Sequence, residues 1–261
     1  MTSAQPHLAP SSGAAVDGTI VSAEAWLSDL EVETVRTDAV QSFLKQETIF
    51  VRLRTAGGVE GIGYSYTIGT GGEAVLSLLR TCLLDVLIGL DAHRPEAVWR
   101  ALFSATRATT VGAITSLALA AVDTAVWDAR CKVSGLPLWV AAGGAHPSIP
   151  LYDTEGGWLH FDTDELVAQA VESQRRGLGG VKIKVGKPRG HEDAERLAAV
   201  RAAVGPGMDI MVDANQSMTA AEAIRRAALF ESLDIFWFEE PLPAEDVAGH
   251  RRLAQSTTLP I

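Results

Sequence analysis

Three short apolar runs in the second half of the chain end in charged side chains. Val181-Lys182-Ile183-Lys184-Val185 alternates apolar and basic residues with the period of a β-strand, so its two ammonium groups project from one face. Ile210-Met211-Val212-Asp213-Ala214-Asn215 and Ile235-Phe236-Trp237-Phe238-Glu239-Glu240-Pro241 are also strand-like, and both end in carboxylates. Asp213 and Glu239 supply the oxygen ligands that a hard divalent cation prefers, Mg²⁺ or Mn²⁺, with places left for water and a substrate carboxylate. A lysine near a metal and a second lysine loses preference for its charged form and can act as a base near neutral pH. Removal of a proton next to a carboxylate is the chemistry these parts suit.

Each motif alone has an ordinary structural reading. A Lys-x-Lys strand usually presents a solvated face, Asp-x-Asn belongs to turns and helix caps, and Glu-Glu-Pro closes many strands. Their joint spacing is what separates them from that background. Lys184 and Asp213 are 29 residues apart, and Asp213 and Glu239 are 26 apart. That is about the length of one β/α unit in an eight-unit barrel of roughly 250 residues, where side chains from successive strand ends converge on one rim.

Lys182-Ile183-Lys184-Val185-Gly186, the segment from Ile210 to Ser217, and Glu239-Glu240-Pro241 followed by Gly249-His250 and Leu259-Pro260-Ile261 resemble the mandelate racemase branch of the mandelate racemase and muconate lactonizing enzyme family, in the enolase superfamily. The resemblance covers most of the chain after residue 18. It implies an α/β protein: an α+β capping domain followed by a TIM-type (β/α) barrel, of which four to five strands are present here. It also implies roles. Lys184 is then the base that takes the α-proton, and Lys182 the partner that lowers its pKa and touches the substrate carboxylate. Asp213 and Glu239 are two of three Mg²⁺ ligands, Asn215 bonds the substrate's α-hydroxyl, Thr154 bonds a carboxylate oxygen, and Glu240 supports the ligands from behind. The implied reaction is racemisation or dehydration of a hydroxy acid or acid sugar through an enediolate.

Thr19–Leu27 and Thr48–Thr55 read as strands, the second joined through Ala56-Gly57-Gly58 to Val59–Tyr66 in a hairpin. Residues 34–45 between them are polar and less patterned, which predicts a mobile loop; in the resembled family such a loop closes over the site and helps select the substrate. Gly58, Gly61 and Gly63 fall within a hairpin, and no P-loop lysine follows Gly69, Gly71 and Gly72, so neither nucleotide motif is satisfied and the glycines read as turn residues. From Glu73 to Val133 the pattern is helical, with breaks at 89–95 and 107–112; Asp123 and Asp128 there are expected to be paired structural acids. Barrel elements follow: a strand at Ile149–Thr154, a helix opened by the capping box Asp162–Glu165, a helix at His191–Val204, a second capping box at Thr219–Glu222, and a last helix at Ala244–Gln255. The expected domains are a flexible tail at 1–18, a capping domain at 19–145 and part of a barrel at 146–261.

The net charge of −10 argues against a nucleic-acid partner, and basic pairs such as Arg225-Arg226 read as solvated helix faces. Cys82 and Cys131 have no Cys or His at metal spacing and are expected to be buried thiols. The first 18 residues lack the pattern of a signal peptide, and no apolar run approaches the roughly 20 residues that span a bilayer. These features predict a cytoplasmic protein with no membrane partner; the resemblance implies a small carboxylate as substrate, and the open strand edges of a partial barrel predict self-association, taken as a homo-oligomer. The resemblance places a third metal ligand and a second base on strands beyond Ile261, so the chain is expected to be an amino-terminal part of a longer enzyme. A non-catalytic fragment with the capping domain as a binding surface, and a muconate-type cycloisomerase, stand as alternatives.

Overall fold

The computed structural model describes residues 16–110 and 112–261. Most of the expected tail lies outside the described residues. Its last part is held in place: Gly57 N–H donates to the Asp17 carbonyl at 2.9 Å, and Ala92 N–H to the Gly18 carbonyl at 2.9 Å. The chain forms two compact units, one from the described part of Met1–Glu31 with Lys45–Ala145, the other from Val32–Leu44 with His146–Ile261.

In the first unit, strand β1 (Ile20–Leu30) is followed in the chain by the short β2 (Arg36–Thr37) and β3 (Ser42–Phe43), which belong to the second unit. Strands β4 (Gln46–Thr55) and β5 (Glu60–Thr67) complete an antiparallel sheet of order β1-β4-β5, as the hairpin signal predicts. The helices are α1 (Gly72–Leu78), continued through a π-turn at Leu79–Leu83 into α2 (Leu84–Leu87), then α3 (Pro95–Ala105), α4 (Ala113–Ser134) and α5 (Leu138–Ala141). Gly61 and Gly63 are not turn residues. A Cβ on either would stand 2.1 Å from a carbonyl of α4, Ala125 and Ala121 respectively, so the glycines let the helix lie directly on β5. Small buried residues on the facing side of α4, among them Ala118, Ala121, Ala125 and Ala129, complete that approach. At the start of α1, Gly72 N–H donates to Glu47 Oε2 at 3.1 Å, so the chain's own carboxylate takes the place a phosphate would occupy. Asp128 is paired, with Lys132 Nζ at 2.6 Å. Asp123 has no ion-pair partner among the described residues; burial and the nearby Glu96 carboxylate push its pKa up. Both cysteines are free and only half-buried.

The second unit is built on a parallel sheet of order β6-β7-β8-β9, comprising Tyr152–Asp153, Gly180–Lys184, Asp209–Asp213 and Ile235–Glu239. Helices α6 (Thr163–Arg175), α7 (Gly190–Val204), α8 (Ala220–Phe230) and α9 (Val247–Ala254) alternate with the strands. The strand expected at Ile149–Thr154 shrinks to two paired residues, because β6 pairs with β7 alone and Pro150 has no N–H to donate. Next to β9, the Pro260 carbonyl accepts from Phe238 N–H at 2.8 Å. The capping box at Asp162 forms in full, Glu165 N–H to Asp162 Oδ1 at 2.8 Å and Asp162 N–H to Glu165 Oε2 at 3.0 Å. At Thr219 only half of the box forms, since the Glu222 carboxylate turns to Arg225 and Arg226 instead.

Val181, Ile183, Val185, Ile210, Val212 and Phe238 pack with Leu197, Val200, Ala227 and Phe230 from the helices. Strand alternation therefore directs Lys182 and Lys184 to the opposite face. Behind the end of β7 sits a buried charge network that the sequence reading missed. Asp193 has no exposed surface and accepts from Gly186 N–H at 2.8 Å, from Lys187 N–H at 3.2 Å and from the Arg226 guanidinium. Arg226, expected on a solvated face, is 5% exposed and also donates to the Lys187 carbonyl at 2.8 Å. Burial pushes the Asp193 carboxyl up, against the pull of these donors.

Removal of one partner of such a pair strands the other without its acceptor. Asp193→Ala is therefore expected to lower the unfolding free energy by about 3–5 kcal/mol, read as a lower urea midpoint with an unchanged slope. A midpoint equal to that of the parent chain would show that the network does not hold β7.

Candidate active site

The charged residues are set in a row by strand register. Lys184 pairs with Asp213 across β7 and β8, and Asp213 pairs with Glu239 across β8 and β9. Residues in register on parallel strands share a face, so alternation within each strand and register between strands together bring lysine and acids to one rim. The register shifts between Ile210 and Val212, where three residues of β9 span two of β8, so the bulge lies on β9 just before Glu239.

Lys184 Nζ donates to Asp213 Oδ2 at 2.6 Å and to Asn215 Oδ1 at 2.8 Å. Lys182 Nζ lies 2.6 Å from Glu239 Oε1 and 3.1 Å from Asp213 Oδ2, and so bridges the two acids. The cluster is sheltered, with the side chains of Lys182, Lys184 and Asp213 exposed by 13, 11 and 2%. Asn215 Nδ2 and Gln216 Nε2 donate to the two oxygens of Glu240 at 2.8 and 3.0 Å. Thr154 is the one predicted site residue that stands apart: it is exposed just past β6, and no hydrogen bond ties it to the cluster among the described residues.

Asn215, Gln216 and Glu240 hold positive φ of 48°, 61° and 32°, the left-handed region that non-glycine residues rarely enter. Each such residue costs about 1–3 kcal/mol and persists only where its surroundings hold it. Here Ala214 N–H donates to the Glu239 carbonyl at 3.1 Å and Gln216 N–H to the Glu240 carbonyl at 2.7 Å, cross-bracing the two strand exits.

Two aromatic residues at the site went unremarked in the sequence. Trp237 Nε1 donates to Glu239 Oε2 at 3.1 Å. Trp158 lies with its ring centroid 5.3 Å from Lys184 Nζ. Trp237 is visible in its strand; Trp158 follows Gly156-Gly157, and only tertiary packing carries it to the lysine. The segment expected to be a mobile loop is a small hairpin, β2 paired with β3, whose turn is closed by Asp38 Oδ1 accepting from Val40 and Gln41 N–H at 2.8 and 2.9 Å.

Burial pushes the Lys182 ammonium toward losing its proton, but hydrogen bonding to Glu239 and the charge of Asp213 outweigh it, so its pKa stands above that of an ordinary lysine. Burial likewise pushes the Asp213 carboxyl up, and the Lys184 hydrogen bond and charge more than reverse it, leaving Asp213 below the usual carboxylate range. Without a metal the acids govern Lys182. The cation that Lys182 places between two carboxylates is the observation that bears on metal fit: Asp213 and Glu239 can share a positive centre and offer hard oxygen donors. Among the described residues no group of three metal-ligating side chains comes together.

Comparison with known proteins accounts for the arrangement. Residues 27–143 match the mandelate racemase / muconate lactonizing enzyme N-terminal domain, and residues 165–261 match the enolase C-terminal domain-like family. The chain is 36% identical over 213 residues to L-talarate/galactarate dehydratase of Salmonella typhimurium, covering 82% of this chain and 53% of that protein. It is 32% identical over 239 residues to 3,6-anhydro-alpha-L-galactonate cycloisomerase of Streptomyces coelicolor, covering 87% and 66%. The chain thus spans about half to two thirds of the length of these relatives. Among solved structures, a racemase from Streptomyces coelicolor with bound magnesium superposes with a TM-score of 0.87 at 32% identity, over 92% of this chain and 67% of the other. A talarate/galactarate dehydratase with Mg and L-glucarate superposes with a TM-score of 0.86 at 31% identity, over 99% and 67%. Family members are dehydratases and isomerases, and solved relatives hold magnesium. The capping-type antiparallel sheet, the parallel sheet of an incomplete α/β barrel and the matches at both ends of the chain make this protein a member of the mandelate racemase and muconate lactonizing enzyme family of the enolase superfamily.

Proposed function

We propose that the protein carries the proton-abstracting half of an acid-sugar dehydratase, acting on the carbon α to a carboxylate. The observation that carries this reading is the convergence of Lys184 Nζ on Asp213 and Asn215 at the strand ends. Lys184 takes the α-proton at Nζ, and Lys182 holds positive charge where the substrate carboxylate sits. Asp213 and Glu239 would hold Mg²⁺, which when bound supplies a fixed positive charge opposite the developing enediolate. Asn215 donates to the α-hydroxyl, Thr154 to a carboxylate oxygen, and Glu240 keeps Asn215 oriented. Residues 19–145 serve as the cap and residues 146–261 as part of the barrel, and further copies associate with the chain as a homo-oligomer. The names of the acid-sugar dehydratases among its relatives support dehydration over racemisation.

A second reading, in which the 261-residue chain alone turns over nothing, is favoured by the lack of a third metal ligand among the described residues. Weak Mg²⁺ binding by titration calorimetry and no α-proton exchange in this chain, with exchange in a longer product of the same gene, would select it.

In an active form, exchange of the α-proton of galactarate or talarate into deuterated water is expected to vanish on chelation and return with Mg²⁺ or Mn²⁺; exchange that survives exhaustive chelation refutes the metal role. Lys184→Ala should lower exchange about 10²–10⁴-fold, the usual contribution of a positioned base, while Mg²⁺ affinity stays within a few-fold. Unaltered exchange in that variant would make the lysine structural.

The depressed Asp213 carboxyl also gives a pH dependence. An acid whose folded pKa lies below its unfolded one stabilises the fold above the unfolded value, about pH 4, and that contribution is lost as pH falls through the folded value. In metal-free protein, urea midpoints should therefore drop on the acid side of about pH 4, and Asp213→Asn should flatten that limb.

A further inference from the structure

The ring of Trp158 meets groups from two parts of the second unit at once. Lys184 Nζ is 5.3 Å from its centroid, and the Arg36 guanidinium carbon is 5.9 Å from it, both within cation–π range. Phe43, in the other arm of the hairpin, packs edge-on at 5.3 Å and 69°. The turn that presents the ring is fixed by close packing: a Cβ on Gly157 would lie 1.8 Å from the Lys182 carbonyl, so Trp158 enters hard against β7. Arg196 reinforces it from behind by donating to the Trp158 carbonyl at 3.5 Å and the Lys184 carbonyl at 3.3 Å. The hairpin makes its own contacts around the ring. Arg36 Nε donates to Glu155 Oε2 at 2.9 Å, and the Thr37 carbonyl accepts from Leu159 N–H at 3.0 Å.

We infer that Trp158 is a positioning residue: one indole seats both the hairpin 32–44 and the Lys184 ammonium, so that docking of the hairpin and placement of the lysine are coupled. The inference rests on the reading of Lys184 as the base, but its physical content does not need turnover. The indole Nε1 is buried with no hydrogen-bond partner among the described residues, so the ring acts through its faces and edge. Phenylalanine keeps a face and an edge, and alanine keeps neither. Lys182, which bonds to Glu239 and Asp213, serves as an internal reference.

The test uses the 261-residue chain with two readouts: the rate of tryptic cleavage after Arg36, and competitive acetylation of Lys184 relative to Lys182, both quantified by mass spectrometry. Trp158→Ala should raise cleavage at least tenfold and the acetylation ratio several-fold. Trp158→Phe should hold both within about twofold of the parent chain. Phe43→Ala with Arg36→Gln, read by acetylation alone, approaches from the hairpin side and should raise the same ratio with Trp158 in place, which keeps the question open if Trp158→Ala fails to fold. Cleavage that rises without any change in the acetylation ratio, a hairpin variant with the parent ratio, or Trp158→Phe behaving like Trp158→Ala would overturn the coupling. Because neither readout needs substrate, loss of the coupling is told apart from failure of Lys184 as the base, which α-proton exchange reports.

Discussion

The reach of Lys184 depends on a carboxylate that never meets the solvent. Asp193 gathers the backbone N–H groups of Gly186 and Lys187 and the guanidinium of Arg226, and so fixes the path of the chain as it leaves β7. Arg196, one turn further along α7, donates to the Lys184 carbonyl itself. A buried ion pair is a poor source of net stability, because desolvation consumes most of the attraction. It is a good source of definition, since a charge without its partners has nowhere else to go. The row of lysine and acids on the front of the sheet is held to a single geometry by a second set of charges behind the strand end.

The front row was legible from sequence because every fact it needs is local. Alternation put Lys182 and Lys184 on one face, terminal acids marked the ends of two further strands, and barrel-length intervals put the three ends side by side. Arg226 and Asp193 were not legible. Each sits in a helical pattern beside other charges, and nothing in the spacing separates a residue turned inward from its exposed neighbour Arg225. Trp158 and the hairpin were missed for a related reason: two-residue strands carry too little alternation to register, and the hairpin's stability comes from groups more than a hundred residues away, such as Glu155. The glycines of β5 show the reverse error. Gly61 and Gly63 have the look of turn residues in a sequence, whereas the close approach of α4 is what requires them.

Backbone strain gathers at the exits of β8 and β9. The left-handed residues Asn215 and Gln216 lie two and three positions past Asp213, and Glu240 directly follows Glu239; their side chains bond to one another across the gap between β8 and β9. The two strand exits are thereby one brace, and neither acid can move without disturbing the other.

Lys182, lying between Asp213 and Glu239, makes the metal-free site a closed electrostatic circuit in which positive and negative charges already cancel. Under the proposed metal role, loading would substitute one cation for another, and the displaced ammonium would stay tethered two residues from Lys184. The side chain that bridges the two acids would then be free to face an incoming anion.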